Sequence, residues 1–280
     1  MHCGYPPKRP ILLILILLLF IAVRGSAASS DTIIGPRSAV LDSIIGNYRI
    51  DYCCHTTISK CLAQDKGCAI AKHLKEFGEW LKGINPEPAK FKEELDKRYA
   101  GFVSTTLFAI DTTRQKFMGD PKAPVKIVAY VSSTCNLCKY VVASIYDSIV
   151  AGSLKGKARL TAKPFGAGVG DRALCAANAL GKFWDLFMAM RKIKTRLDQE
   201  SILSMADSLG MPRKRFLPLL SDTTLKDMLS ESRKEGSRNG VEVTPTFFIN
   251  GKRYGSYKDA RWVVDACLFE YQKMNLKTIR

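Results

Sequence analysis

The sequence predicts an α/β domain in which helices cover a central sheet, preceded by a small, mainly helical segment that contains cysteines. Three observations support this prediction. The apolar run 125–131 has the length and composition of a buried strand and leads directly into a helical pattern. A second short strand is indicated over 158–162. Near the C-terminus, Asn250-Gly251 marks a hairpin after a strand over 243–249, and such an order of elements is typical of a layered α/β domain.

The first 28 residues have the pattern of a secretory signal peptide. Lys8 and Arg9 precede thirteen uncharged, mainly apolar residues, 11–23, and the small residues of 25–28 follow. This apolar stretch is shorter than the roughly 20 residues of a membrane-spanning helix, so an N-terminal inner-membrane anchor is the alternative. We therefore predict a signal peptide over 1–28 and a periplasmic protein.

The composition fits an exported globular protein with a basic surface. The 280 residues include 43 Lys and Arg against 26 Asp and Glu, which gives a formal net charge of +17. Such a charge favours acidic partners. The basic residues are spread along the chain, however, and export argues against nucleic acid, so we predict no nucleic-acid partner. Eight of the nine cysteines lie after residue 28, which fits an oxidising compartment.

Residues 29–115 are expected to form a cysteine-containing, mainly helical N-terminal extension. Within it, we predict a loose lead-in, two helices and a strand, over 29–47, 69–81, 89–99 and 102–110. Pro86 and Pro88 end the first helix, because proline cannot continue a helix and restricts the residue before it. A linker over 119–124 separates this strand from the first strand of the main domain.

The main domain is predicted over 116–280, with a helical insert over about 166–240. Asp171 and Asp198 have the position of helix caps, and Gly210 ends the helix that begins at Asp198. The predicted helices of the domain after its glycine-rich loop run over 171–190, 198–209, 213–220, 223–238 and 258–273.

The motif Cys135-Asn136-Leu137-Cys138 follows the first strand of the domain and opens a helix. A helix N-terminus carries partial positive charge and unpaired N–H groups, and it therefore stabilises a thiolate. The first cysteine can attack a disulfide, and the second, one turn further, can attack the mixed disulfide that forms. We therefore predict a redox-active disulfide between Cys135 and Cys138.

Other uses of this motif fit the sequence less well. Zinc needs four ligands, and no second cysteine pair with matching spacing follows. Lys139 stands where a covalent haem site has histidine. The glycine-rich loop 166–170 lacks the order of a dinucleotide fingerprint or a P-loop. We predict no metal and no cofactor.

These residues together resemble a known family. The dithiol, the helical stretch after it and the run Val243-Thr244-Pro245-Thr246-Phe247-Phe248-Ile249-Asn250-Gly251 are similar to the DsbA-like thiol–disulfide oxidoreductases. The run Gly181-Lys182-Phe183-Trp184 also resembles one that is common in their insert. The resemblance covers about 115–280 and implies a thioredoxin fold with a helical insertion.

The resemblance implies roles for four residues. Cys135 is expected to be the nucleophile and Cys138 the resolving thiol. The Thr244–Pro245 bond is expected to be cis and to face the dithiol, where the backbone of Thr244 can pair with a substrate peptide. The alternative for Pro245 is a plain edge-strand proline. The dipeptide Asn136-Leu137 differs from the best-known pairs of this superfamily, which leaves the redox direction open.

Four cysteines lie before the region of resemblance, at Cys53, Cys54, Cys61 and Cys68. Two structural disulfides are the favoured interpretation, paired as 53–61 with 54–68 or as 53–68 with 54–61. A zinc site completed by His55 or His73 is one alternative. A second redox pair that exchanges with Cys135 and Cys138 is another.

Two more cysteines, Cys175 and Cys267, lie on apolar helix faces. We expect them to be buried, inert thiols, with a bond between them as the alternative.

The sequence favours a periplasmic enzyme that exchanges disulfides with exported client proteins and acts as an oxidase, reoxidised by a membrane partner. A reductase or isomerase of the same fold is the first alternative, because reduction potential and not fold decides direction. A non-catalytic module that binds peptides at Thr244 and Pro245 is the second.

Overall fold

The computed structural model describes residues 34–64, 67–84, 86–193, 197–255 and 258–278. The predicted signal peptide lies outside the described residues. Among the helices that are described, none is long and apolar enough to cross a membrane.

In the N-terminal extension, the described residues form four helices and a two-stranded antiparallel pair, in the order α1 (Ile34–Asn47), β1 (Arg49–Ile50), β2 (Thr56–Thr57), α2 (Ile58–Ala63), α3 (Ala69–Gly83) and α4 (Pro88–Val103). Two predictions for this part are wrong. Most of the expected lead-in is helix α1, which buries Leu41 and Ile45. The predicted strand over 102–110 begins inside α4 and continues as irregular chain, because Phe102 is buried on the helix face.

The described part of the main domain contains five strands, β3 (Phe117–Gly119), β4 (Val125–Val131), β5 (Ala158–Pro164), β6 (Thr246–Ile249) and β7 (Lys252–Tyr254). They form one sheet in the order β3-β5-β4-β6-β7. The pair β4–β5 is parallel and the other pairs are antiparallel. The strand β3 was missed, because it has only three residues and the last of them, Gly119, belongs to the predicted linker. The hairpin at Asn250-Gly251 is confirmed.

Seven helices of the described chain accompany this sheet: α5 (Asn136–Ala151), α6 (Val169–Ala179), α7 (Phe183–Met190), α8 (Gln199–Ser208), α9 (Arg213–Ser221), α10 (Thr223–Arg238) and α11 (Ala260–Thr278). The single helix expected over 171–190 is two helices, since the chain turns at Gly181 with φ of 73°. The cap at Asp198 is confirmed, because its Oδ1 accepts a hydrogen bond from the backbone N of Ser201 at 2.8 Å.

The two faces of the sheet have different covers. Alternate residues of β4, such as Ile127 and Ala129, belong to the main core, against which α5 and α11 pack. Val128 and Tyr130 point to the other face, where Phe108 and Phe248 complete a smaller apolar cluster beneath α10. Because β4 is covered on both faces, it reads as a nearly continuous apolar run.

Candidate active site

Cys135 stands where the central strand meets the helix that follows it. β4 ends at Val131, and Cys135 is the N-cap residue of α5. Its backbone N donates to the carbonyl O of Ser132 at 3.1 Å, and its own carbonyl accepts from the backbone N of Lys139 at 3.2 Å. The cysteine side chain is therefore held at the positive end of a 16-residue helix.

The two sulfurs of the motif have different surroundings. Cys135 is half-buried, whereas Cys138 is completely buried. The backbone N–H of Cys138 donates a hydrogen bond to Sγ of Cys135 at 3.0 Å. A nucleophilic sulfur and a shielded second sulfur thus lie one helical turn apart.

The environment separates the acidities of the two thiols. The pKa of Cys135 is lowered to about 6, and the largest cause is a hydrogen bond from the Cys138 thiol. Burial of Cys135 opposes this effect. The Thr244 side chain and the backbone N–H groups of Cys138 and Leu137 lower the pKa further. Burial raises the pKa of Cys138 well above its usual range, and its interaction with Cys135 adds to the increase. At pH 7 the thiolate form of Cys135 is therefore favoured over the thiol.

The structure brings Thr244 and Pro245 next to the dithiol. The Thr244–Pro245 peptide bond is cis. In its protonated form, the thiol of Cys135 donates to the carbonyl O of Thr244 at 3.2 Å. The strand β6 begins only at Thr246, so Thr244 precedes the paired part of the sheet. Val243 beside it is exposed, which leaves this stretch of backbone accessible next to Cys135.

The buried carboxylate of Asp171 supports the turn before Cys135. From the sequence, this residue is predicted only as a helix cap. Asp171 accepts hydrogen bonds from the backbone N of Ser133 at 2.8 Å, from its Oγ at 3.0 Å and from the backbone N of Gly168 at 3.1 Å. Helix α6 begins at Val169, so Asp171 lies in its first turn and does not precede the helix as predicted. Asp171 therefore fixes the active-site turn to the insert.

The glycine-rich loop 166–170 is closely packed against this turn. A Cβ on Gly166 would lie 2.3 Å from Oδ2 of Asp171, and a Cβ on Gly170 would lie 2.6 Å from Oγ of Ser133. These glycines therefore allow the loop to pack closely against the residues before Cys135. The loop lacks a nucleotide-binding motif, and this close packing gives its glycines a structural role.

The four N-terminal cysteines are paired as Cys53–Cys68 and Cys54–Cys61, which is one of the two pairings left open by the sequence. The Sγ atoms of Cys53, Cys54 and Cys68 lie within 4.8 Å of one another. His73, one of the two histidines considered as a further zinc ligand, instead has its Nδ1 3.0 Å from Oδ1 of Asp265.

The two remaining cysteines of the main domain are free thiols, so they do not form a bond with each other in the structure. Cys267 is buried and Cys175 is half-buried. Burial raises the pKa of both thiols, to about 12 for Cys175, which keeps them protonated and unreactive near neutral pH.

Comparison with known proteins places this geometry in a family. A family model described as Thioredoxin matches residues 111–266, more than half of the chain. Among curated proteins, the chain is 27% identical over 158 residues to a Na(+)/H(+) antiporter NhaA of Herminiimonas arsenicoxydans, covering 55% of this chain and 25% of the antiporter. It is 26% identical over 154 residues to NhaA 1 of Salinispora arenicola, covering 53% and 24%. The chain thus spans about a quarter of the length of these relatives.

Solved structures share the fold. BdbD of Bacillus subtilis in its oxidised form has 19% identity and a TM-score of 0.52, with 60% of this chain and 98% of BdbD covered. The alpha-DsbA1 protein of Wolbachia pipientis has 19% identity and a TM-score of 0.52, with 61% and 97% covered. The predicted thioredoxin-like fold with its helical insertion is confirmed, and in fold the chain is similar to alpha-DsbA1 and BdbD.

Proposed function

Because the chain belongs to the thioredoxin family, we propose that it is a thiol–disulfide oxidoreductase that exchanges disulfides with exported proteins through Cys135 and Cys138. The observation that carries the proposal is the pair itself. Cys135 has a pKa lowered to about 6 at the start of α5, with the buried Cys138 one turn behind it. Low thiol pKa, partial exposure and a nearby second thiol are the requirements of a dithiol that exchanges disulfides.

The oxidase direction follows from the same difference in acidity. With Cys135 and Cys138 bonded, a client thiolate attacks Sγ of Cys135, and Cys138 leaves with the electron pair and takes a proton. A second client thiolate then attacks the client sulfur of the mixed disulfide, and Cys135 leaves as a thiolate. The client is oxidised and the enzyme is reduced by two electrons. A low pKa favours Cys135 as leaving group and stabilises the reduced enzyme, so the protein is an effective disulfide donor.

Thr244 and Pro245 are proposed to hold the client. The carbonyl O of Thr244 lies 3.2 Å from Sγ of Cys135, so a client strand paired with this backbone brings its cysteine to the reacting sulfur. The proposal further includes a periplasmic location reached through the signal peptide over 1–28, and a membrane partner that reoxidises the dithiol. The basic start and short apolar stretch of the sequence support this location.

The reduction potential of the Cys135–Cys138 pair, measured by equilibrating the mature protein in glutathione buffers, distinguishes the directions. A value of about −120 to −150 mV supports the oxidase. A value of about −270 mV contradicts it and favours a reductase. Only the fraction of bonded Cys135–Cys138 peptide, quantified by mass spectrometry after acid quenching, is counted, so the N-terminal disulfides do not contribute.

The non-catalytic alternative is tested by Cys135→Ser. We expect this variant to lose disulfide exchange with a reduced model client, while a Cys175→Ser control retains it. If Cys135→Ser leaves client binding and the cellular phenotype unchanged, the peptide-binding module is the better description.

A further inference from the structure

The two disulfides of the N-terminal extension differ in their access to solvent. Cys53 is exposed, whereas Cys68, Cys54 and Cys61 are buried. A thiol in solution can therefore reach the Cys53–Cys68 bond at Cys53, while the Cys54–Cys61 bond is shielded at both ends. A disulfide that is exposed to solvent exchanges with thiols more readily than a shielded structural disulfide does.

Cys68, the buried partner of Cys53, lies at the N-terminus of a helix. Cys68 is the N-cap residue of α3, and its carbonyl O accepts from the backbone N of Ala71 and of Lys72 at 3.1 and 3.4 Å. The helix is 15 residues long, and none of the described residues in its first turn is acidic. The positive end of the helix dipole therefore favours a thiolate at Cys68, and a better leaving group speeds exchange.

The second disulfide lies within reach of the first. Sγ of Cys54 is 3.9 Å from Sγ of Cys53, and Sγ of Cys68 also lies within 4.8 Å of Sγ of Cys54. A thiolate released at Cys68 is thus beside a sulfur of the shielded bond. The pairing in which Cys54 joins Cys68 is therefore one exchange step away.

This cluster is remote from the dithiol of the main domain. Cys135 follows the C-terminal end of β4. At the N-terminal end of β4, the backbone N of Asn250 donates a hydrogen bond to the carbonyl O of Lys126, and Met274 lies next to Asn250. Lys273 lies over the ring of Tyr52, next to Cys53. Seven strand residues, about 20 Å, separate the two ends, so electron transfer between the two centres within one chain is not supported.

We propose that Cys53–Cys68 is a second, independent thiol–disulfide exchange site, which reacts with exposed thiols of other molecules. The incoming thiolate attacks Sγ of Cys53, a mixed disulfide forms there, and the Cys53–Cys68 bond breaks with its electron pair on Cys68. A second thiolate of the same partner releases Cys53, so that the partner dithiol becomes a disulfide and Cys53–Cys68 becomes a dithiol.

The neighbouring bond gives this site a second state. While Cys53 is held in the mixed disulfide, the thiolate of Cys68 attacks Sγ of Cys54. The Cys54–Cys61 bond breaks, Cys54–Cys68 forms, and the electron pair moves to Cys61. The number of disulfides is unchanged in this step, and the free thiol has moved from the helix N-terminus into the core.

The test uses the full mature chain with Cys135→Ser and Cys138→Ser, so that the main dithiol cannot take part. The protein is incubated with reduced glutathione without denaturant, quenched with acid, and mapped by mass spectrometry. We expect glutathione on Cys53 at least tenfold faster than on Cys54 or Cys61, with a free thiol at Cys68 or at Cys61. Equal rates at all four cysteines, glutathione first on Cys54 or Cys61, or no reaction in the folded protein would overturn the proposal.

A matched variant tests the second step. With Cys54→Ala and Cys61→Ala added, glutathione is still expected on Cys53, and the free thiol is expected at Cys68 alone. If glutathione no longer reacts at Cys53 while circular dichroism shows an unchanged fold, the single exposed bond is not an exchange site and the proposal fails.

Discussion

At the scale of single residues, the site distinguishes two chemically identical side chains by burial and hydrogen bonding. Cys138 is fully buried and keeps its proton, which it shares in a hydrogen bond with Cys135. Cys135 is half-buried at the helix N-terminus and loses its proton readily. The hydrogen bond lowers one pKa and raises the other, so the order of attack follows from the fold of the motif.

Replacing Cys138 with alanine is expected to raise the pKa of Cys135, because the largest cause of its lowering is the hydrogen bond from the Cys138 thiol. The pH dependence of Cys135 alkylation by iodoacetamide measures this pKa. In the reduced parent protein the midpoint is expected at about 6, and in Cys138→Ala at least one unit higher. Cys267→Ala, which removes a buried thiol elsewhere, should leave the midpoint unchanged; a midpoint near 6 in Cys138→Ala contradicts the assignment.

The same pKa predicts how the stability of the reduced protein depends on pH. The pKa of Cys135 is lower in the folded state, about 6, than in the unfolded state, about 8.5. The thiolate therefore stabilises the fold fully above pH 8.5, and this contribution disappears as the pH falls through 6. The difference in unfolding free energy between the reduced parent and Cys135→Ser, followed by urea denaturation between pH 5 and 9, should grow with pH over this window.

Some residues of the site can be identified from the sequence and others cannot, for a physical reason. Cys135 and Cys138 are adjacent on one helix turn, so their relation is local and visible as a motif. Asp171 reaches the active-site turn across 38 residues, and nothing in its local pattern shows that its carboxylate binds Ser133. The glycines before it were the available signal, because closely packed backbone requires residues without Cβ.

At the scale of secondary-structure elements, a buried ion pair joins the sheet to the insert. Lys163 on β5 pairs with Glu235 on α10, and their side chains are only 4% and 15% exposed. Tyr130 on β4 donates to Oε2 of Glu235 at 2.9 Å, and the backbone N of Asp111 donates to Oε1 at 2.6 Å. Glu235 thus connects two strands, one helix and the chain segment that covers the second face of the sheet.

Glu235→Gln is expected to lower the free energy of unfolding by about 3–5 kcal/mol, because it leaves the ammonium of Lys163 buried without its counter-charge. Glu231→Gln, on the same helix, is the matched control. Its partner is Lys234, both side chains are more than 60% exposed, and its loss should leave the free energy of unfolding close to that of the parent protein. Urea denaturation of both variants measures the difference, and equal losses would show that the buried pair contributes no more than a surface pair.

Periodicity was sufficient for elements whose pattern is uniform, such as α9, α10 and the β6–β7 hairpin. It was insufficient where tertiary contacts decide. Apolar residues alternate along the region after Phe102, as in a strand. Phe102 nevertheless belongs to helix α4, and its ring centroid lies 4.8 Å from that of Phe269. The break at Gly181 was missed because apolar residues continue on both sides of it.

At the scale of the whole molecule, the N-terminal extension and the thioredoxin-like domain share one hydrophobic core. Arg98 on α4 is the central contact. It is completely buried, pairs with Asp265, and its guanidinium lies 4.9 Å from the ring centroid of Phe77 and 4.8 Å from that of Trp262. This arginine falls within the helix predicted over 89–99, and its burial could not be foreseen from the sequence because the aromatic residues around it come from both parts of the chain.

Since the two parts share this core, we expect them to unfold together, and Arg98→Met should destabilise both. The substitution removes the charge beside the partly buried Asp265 and the stacking on four aromatic rings, which should cost about 3–5 kcal/mol. Arg213→Met, which loses an exposed pair with Glu200, is the control and should leave the free energy of unfolding almost unchanged. Hydrogen exchange read separately in α3 and in β4 should show both elements losing protection to the same extent in Arg98→Met. Loss of protection in α3 alone would mean that the extension is an independent unit, and that its disulfides stabilise only the extension.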